Sequence, residues 1–279
     1  MTVGETNMTD SSAVAVKKPP RHKTPAKRAN LLSGSQWLQH SFSIWRGLGK
    51  TSAERKIGHP AMFPVSLVSR ILDAYTRCEG VLLDPFAGSG SALEAALAKG
   101  MDVVGVDINR HFYDIFKERA APLSSSQWCY IVGDARHLRA LLPPDSADVC
   151  ITSPPYWDIL NRKRSADGKN ARSYSSLADD MGNVKLYREF LDCLGDVFAG
   201  VRSVLKPGAP FVLNVADLRK GPVFYPLHMD AAEEARRHGF VLEDIIVWDR
   251  QSDYNNQRPL GYPYKFIINK VHEYLLVLR

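Results

Sequence analysis

From Val65 onward the sequence alternates stretches of helical period with short β-rich runs, and few architectures accept such a chain. Strands joined through helices run parallel, and a parallel sheet needs helices on both faces, so its strands become short apolar runs. The reading is helix Val65–Thr76, strand Val81–Asp84, helix Ser91–Lys99 stopping at Gly100, strand Asp102–Asp107, helix Phe112–Ala120 and strand Cys129–Val132. A short helix near Leu138–Leu142, strand Asp148–Thr152, helix Lys185–Leu205 before Pro207-Gly208, strand Phe211–Val215 and helix Leu227–His238 follow. Strands Phe240–Asp249 and Val271–Leu278 close the chain without an intervening helix, which predicts an antiparallel hairpin at the sheet edge. No internal repeat interrupts this order.

With 279 residues, 45% of them hydrophobic, the chain can fill one substantial core and is short for two. Residues 31–279 are expected to form that single domain. Residues 1–30 are small, polar or basic, with Lys17, Lys18, Arg21, Lys23, Lys27 and Arg28 around Pro19, Pro20 and Pro25, and are expected to be a disordered basic tail. Between Leu31 and Ile57, Trp37, Phe42, Ile44 and Trp45 among basic residues suit both a domain edge and a nucleic-acid face.

Where the first strand of the alternation turns into a helix stands Asp84-Pro85-Phe86-Ala87-Gly88-Ser89-Gly90. Ligands of doubly wound sheets bind at such strand ends. Glycines at 88 and 90 let the backbone approach a ligand closely, while a carboxylate at Asp84 repels phosphate and suits a cationic or hydroxyl-bearing group. No phosphate-binding G-x-x-x-x-G-K-[ST] is present. Asp107, followed by Ile108, ends the next strand about twenty residues on, the spacing at which such folds hold a ribose diol. Asp134, followed by Ala135, ends the third and is placed to accept from an adenine amino group. A single strand-end aspartate is commonly a cap or turn residue, but these three end successive strands.

The fourth strand leads into Ser153-Pro154-Pro155-Tyr156-Trp157. Together with Asp84–Gly90 this resembles the amino-methyltransferase family of DNA-modifying enzymes, over about Gly58 to the C-terminus. His59-Pro60-Ala61-Met62-Phe63-Pro64 resembles the family segment lining the methionine end of the cofactor site, and His272–Val277 resembles its last strand. The order, with the glycine turn before the tetrapeptide, looks permuted relative to many family members.

The resemblance implies a Rossmann-like, S-adenosylmethionine-dependent methyltransferase fold of the α/β class, a DNA partner and methylation of cytosine N4 or adenine N6. Cofactor contacts are then expected from His59, Pro60, Phe63, Asp84, Phe86, Ala87, Gly88, Ser89, Gly90, Asp107, Ile108, Asp134, Ala135 and Ser153. Catalysis is expected from Ser153, Pro154, Pro155 and Tyr156. An exocyclic amine is a poor nucleophile because its lone pair is delocalised into the ring. Acceptors at Ser153 Oγ and the Pro154 carbonyl would localise that pair, the prolines would fix the loop, and Tyr156 would stack on a flipped base. Trp157 or Phe63 is the candidate for the opposite wall. Family enzymes with serine in the first position mostly modify cytosine N4, which favours that base. Methylation at cytosine C5 needs a thiolate, normally from a Pro-Cys pair, and no cysteine here follows a proline.

Two polar segments are candidates for nucleic-acid contact. The stretch near 161–183 carries Arg162, Lys163, Arg164, Lys169 and Arg172; the one near 250–270 carries Tyr254, Asn255, Asn256 and Arg258, side chains able to read base edges. Both suit insertions on one domain and a short recognition sequence.

A formal charge of +6 agrees with a polyanionic partner without requiring one. Cys78, Cys129, Cys150 and Cys193 show neither disulfide nor metal-ligand spacing, so no metal is expected. No bilayer-length apolar run is present and Met1–Asp10 lacks the order of a secretory signal, so a cytoplasmic, nucleoid-associated enzyme with a possible restriction nuclease as companion is expected. The alternatives are an adenine-N6 enzyme, an RNA base amino-methyltransferase and a non-catalytic binding module on the same fold.

Overall fold

The computed structural model describes residues 29–59, 61–123, 126–161, 174–175, 177, 179–253 and 259–279. The described residues begin with helix α1 (Gly34–His40), strand β1 (Ile44–Trp45) and helix α2 (Ser52–Lys56), and then follow the expected alternation. Helix α3 (Val65–Tyr75), β2 (Val81–Asp84), α4 (Ser91–Leu97), β3 (Asp102–Asp107), α5 (Arg110–Ala120) and β4 (Trp128–Val132) form its first part. Helix α6 (Leu138–Leu141), β5 (Val149–Thr152), α7 (Tyr187–Val204), β6 (Phe211–Val215), β7 (Leu218–Lys220), β8 (Val223–Tyr225), α8 (Leu227–Arg237), β9 (Leu242–Asp249) and β10 (His272–Leu278) complete it.

The main sheet runs β1-β9-β10-β6-β5-β2-β3-β4. Strands β6, β5, β2, β3 and β4 are mutually parallel, and β10 is antiparallel to both β6 and β9. This is the mostly parallel sheet that the alternation predicts, in the Rossmann-like α/β form that the family resemblance implies. Its central strands are apolar because helices cover both faces: all four residues of β5 and all five of β6 are buried.

Two cores lie on opposite faces. On one, Leu67, Ile71 and Leu72 of α3 and Ala92, Leu93 and Ala96 of α4 pack on Leu82 and Val212; on the other, Phe190, Leu194, Phe198 and Val201 of α7 pack on Leu83, Phe211 and Leu213. Helix α7 places these large residues at positions three and four apart, the spacing of a single helical face.

The C-terminal hairpin forms but is not the sheet edge. Strand β1 pairs in parallel with β9 through Ile44 and Trp45, outside the hairpin. A two-residue run around Trp45 carries no strand period; it holds because Trp45 is 1% exposed and packs under the Arg70 guanidinium. Trp37 and Phe42 of the same region stay exposed. The small β7–β8 hairpin turns at Gly221, inside a stretch whose sequence shows little alternation.

The basic tail expected over residues 1–30 lies almost wholly outside the described residues, as do Arg162, Lys163, Arg164, Lys169, Arg172, Tyr254, Asn255, Asn256, Arg258 and Pro60. Among the described residues no helix is long and apolar enough to cross a membrane.

Candidate active site

Strands β2, β3 and β5 end on one side of the sheet, and a cleft enclosing about 730 Å³ of open space lies over those ends. Phe86, Ala87, Gly88, Ser89, Asp107, Ile108, Asp134, Ala135, His59, Phe63, Ser153 and Pro155 all line it. Residues predicted from separated parts of the sequence therefore share one cavity.

Backbone geometry explains the glycine turn. Gly88 has φ +50°, and a Cβ there would stand 2.8 Å from His59 Nε2 and 3.4 Å from the Tyr174 hydroxyl, filling the floor of the cleft. Gly90 has φ +85° at the N-cap of α4, and a Cβ there would collide with Phe116. Gly88 thus keeps cleft space open, whereas Gly90 admits close packing behind it. The Gly88 carbonyl accepts from Tyr130 Oη at 2.8 Å and its amide donates to Asp107 Oδ2 at 2.8 Å.

Asp107 is nearly buried, and both its oxygens have partners: Oδ1 accepts from the Asn109 amide at 2.9 Å, and Oδ2 accepts from Tyr174 Oη at 2.6 Å as well as from Gly88. Burial pushes its carboxyl up to about 6 even though these bonds favour the ion. Tyr174, His59 and Phe112 form an aromatic cluster around it, with centroids 4.4 Å apart for His59–Phe112 and 4.8 Å for Phe112–Tyr174. Tyr174, Asp180 and Met181 line the opposite wall.

Asp84, expected among the cofactor contacts, is engaged within the sheet. It does not line the cleft; its Oδ1 accepts from Thr152 Oγ1 at 2.5 Å and from the Phe86 amide at 3.0 Å, tying the ends of β2 and β5 together. Its Oδ2 is buried without a hydrogen-bond partner among the described residues. Burial drives this carboxyl up to about 7. Asp134 lines the cleft, but its carboxylate is gripped by Arg136 at 2.9 Å and 2.5 Å while accepting from the Arg136 amide. Burial pulls it up, and these contacts outweigh that and leave it below the usual carboxylate range.

The tetrapeptide leaves β5 beside the glycine turn. Ser153 and Pro155 face the cleft, and Pro154 is buried. The Tyr156 hydroxyl points away into the sheet, within 2.8 Å of Glu273 Oε2 on β10 and of Asn214 Nδ2 on β6. Burial, then the Glu273 charge, holds the phenol far above its ordinary range. Neither Asn214 nor Glu273 was assigned a role from sequence. For Asn214 a usable signal exists, since it is a polar residue within an otherwise apolar buried strand; Glu273 sits between His272 and Tyr274 and gives a weaker one. Tyr174, in a polar stretch without periodicity, offered none.

Trp157, expected as a wall for the flipped base, is packed into the core. It is 5% exposed, its indole N–H donates to the Val184 carbonyl at 2.8 Å, Tyr187 and Tyr225 pack on it, and Lys220 Nζ lies 3.0 Å from its ring centroid. A φ of +53° turns it inward immediately after Tyr156. Phe63 lines the cleft while packing into the α3 core. In the 250–270 segment, Tyr262, Tyr264, Phe266 and Ile268 are exposed. No cluster of His, Cys, Asp and Glu suited to a metal occurs among the described residues.

The sequence profile of the N6/N4 DNA methylase family matches residues 6–118 and 147–279, and a general methyltransferase-domain profile matches residues 83–164. The chain is similar to the type II methyltransferase M.ScaI of Streptomyces caespitosus, with 32% identity over 36% of this chain and 33% of that protein. It is also similar to the tRNA (guanine(10)-N2)-dimethyltransferase of Pyrococcus abyssi, with 25% identity over 72% of this chain and 59% of that protein. The chain therefore spans between a third and three fifths of these curated relatives. Among solved structures, a SAM-dependent methyltransferase from Methanosarcina mazei shares the fold at 14% identity and a TM-score of 0.50, over 75% of this chain and 95% of that one.

Proposed function

Because the chain belongs to the N6/N4 DNA methylase family, we propose that it transfers a methyl group from S-adenosylmethionine to N4 of a flipped cytosine in DNA, without a covalent intermediate. One observation carries the reading: Ser153 and Pro155 of the tetrapeptide line the same cleft as the glycine turn and Asp107. The residues present fit the cofactor. Space left open by Gly88, a buried carboxylate at Asp107 and the aromatic His59, Phe112 and Tyr174 suit a ligand with a ribose, a ring and a short polar chain. The cofactor supplies an electrophilic methyl group.

The chain's own residues do the remainder. Asp107 holds the ribose hydroxyls, and Ile108, Ala135 and Phe86 give the adenine an apolar slot. Ser153 Oγ accepts an amino hydrogen of the target and so concentrates the nitrogen lone pair toward the methyl group. The prolines at 154 and 155 hold the loop without a competing amide N–H at either position. Serine at position 153 favours cytosine N4 over adenine N6. The exposed Tyr262, Tyr264 and Phe266 beside Lys265 and Lys270 form a surface that can stack on bases and meet phosphates, which supports nucleic acid as the partner.

A second reading, methylation of an RNA base amine, is favoured by the 72% of this chain that matches a tRNA guanine-N2 enzyme. Similarity to a type II methyltransferase instead supports a DNA modification role, with a restriction nuclease as companion and the nucleoid as place of work. Incubating the full chain with methyl-labelled S-adenosylmethionine and either DNA from a methylation-free host or unmodified tRNA transcripts separates the two. Label in DNA alone is expected, and label confined to tRNA overturns the choice of polymer.

A further inference from the structure

Glu273 begins as an anomaly: a carboxylate only 6% exposed, lying in β10 between His272 and Tyr274 and ahead of the apolar run Leu275–Leu278. Its Oε1 is paired with Arg250, and its Oε2 accepts from Tyr156 Oη at 2.8 Å and from Asn214 Nδ2 at 2.7 Å. Asn214 Nδ2 also lies 2.8 Å from Tyr156 Oη. The amide nitrogen must face this pair, since its oxygen there would oppose a carboxylate. Tyr156 Oη in turn lies 3.0 Å from Ser153 Oγ.

Donor counting fixes the direction of this chain. A carboxylate only accepts, so Tyr156 gives Glu273 its single proton. The Tyr156 oxygen can then only accept, from Asn214 and from Ser153. Ser153 must therefore donate inward, and its remaining lone pair faces the cleft that it lines. A serine hydroxyl otherwise rotates freely and offers a proton or a lone pair with similar ease. Here it can greet a target amine only as an acceptor.

We infer that Glu273 is a positioning residue that acts through Tyr156 to lock Ser153 as an acceptor, and that it receives the proton released on methylation. This rests on the proposed amine chemistry. As the amine nitrogen bonds to the methyl carbon, sulfur keeps the electron pair of the broken C–S bond, and the nitrogen becomes a strongly acidic cation. That cation gives a proton to Ser153 Oγ, Ser153 passes its own to Tyr156, and Tyr156 passes its own to Glu273. The product is then neutral and Glu273 is a carboxylic acid that later loses its proton.

The assignment gives Tyr156 a use for its hydroxyl that stacking does not need, and Glu273→Gln and Tyr156→Phe test it. In Glu273→Gln the new amide can donate to Tyr156, reversing the chain so that Ser153 presents its proton to the target. Single-turnover transfer to DNA from a methylation-free host should fall about 100-fold in each variant. S-adenosylmethionine affinity measured by calorimetry and KM for the DNA should stay within twofold. The double variant should be no worse than the poorer single one, because both break one chain. Without any substrate, the infrared C–O stretch of ¹³C-labelled Tyr156, isolated by subtracting the Tyr156→Phe spectrum, should report a donated hydrogen bond that is lost in Glu273→Gln.

An active wild type with Tyr156→Phe transferring within twofold of it, additive losses in the double variant, or an unmoved Tyr156 band in Glu273→Gln overturns the positioning role alone. A wild type that labels neither DNA nor tRNA overturns the amine-methylation reading, and this role falls with it.

Discussion

The Tyr174 hydroxyl donates to Asp107 Oδ2 at 2.6 Å, on the same oxygen that accepts the Gly88 amide at 2.8 Å. A cofactor ribose that uses Asp107 must displace this phenol, so Tyr174 is an internal competitor. Tyr174→Phe removes the competing hydroxyl and keeps the ring against Phe112. Calorimetry should show S-adenosylmethionine binding tightened about three- to tenfold, the net worth of one typical hydrogen bond. Weakened binding would instead mean that the hydroxyl serves the cofactor directly.

Cofactor affinity should depend on pH through Asp107. Its carboxyl is raised by burial to about 6, and only the ion can accept from two ribose hydroxyls. Binding therefore requires proton loss below that value, so affinity rises from pH 5 to about pH 6 and levels off above it, by at most tenfold per unit. Asp107→Asn should bind weakly with no slope in this window. A wild-type affinity that is flat from pH 5 to 7 would place the ribose elsewhere.

Asp84 makes an opposite demand, on stability. Its carboxyl is raised to about 7 by burial, against an ordinary value of 3.8. Between those values the folded chain holds a proton that the unfolded chain has released. Its contribution is complete below about pH 4 and is lost as the pH rises through 7. Asp84→Asn keeps an acceptor for Thr152 and the Phe86 amide and removes the ionisation. Urea midpoints should show this variant gaining on wild type between pH 5 and pH 8; an equal difference at both would show that Asp84 stays ionised throughout.

Trp157 adjoins the tetrapeptide but belongs to the core. Trp157→Ala should lower unfolding free energy by about 3–5 kcal/mol in urea melts, the usual cost of emptying a large aromatic site. A loss of DNA affinity at unchanged stability would return Trp157 to the base-binding wall.

The legible parts of this fold and site were those with a period or a spacing. Strands β2 and β3 fall on their predicted residues because buried parallel strands are short apolar runs closed by glycine, proline or aspartate. Strand β1 was not legible, since two residues carry no period and it is held by one tryptophan under Arg70. The glycine turn, Asp107 and Ser153 could be brought together because strand ends in a parallel sheet share one side. Their number and type could not say that Asp84 would turn inward to Thr152, or that the residue after Tyr156 would take a positive φ and carry Trp157 into the core. Asn214 is visible as a polar residue in an apolar strand, whereas Glu273 is masked by His272 and Tyr274 on either side of it. Their partnership with Tyr156 depends on β10 inserting between β6 and β9, which is a matter of sheet order that local pattern does not carry.

On the proposed function, Ser153 directs methylation to a cytosine amine in DNA. Mass spectrometry of nucleosides from a methylation-free host expressing the full chain, beside one expressing Ser153→Ala, tests it most directly. N4-methylcytosine is expected in the DNA with wild type, and at least a 100-fold smaller amount with Ser153→Ala. N6-methyladenine in its place, or an unmodified DNA pool accompanied by a methylated RNA amine, would contradict it.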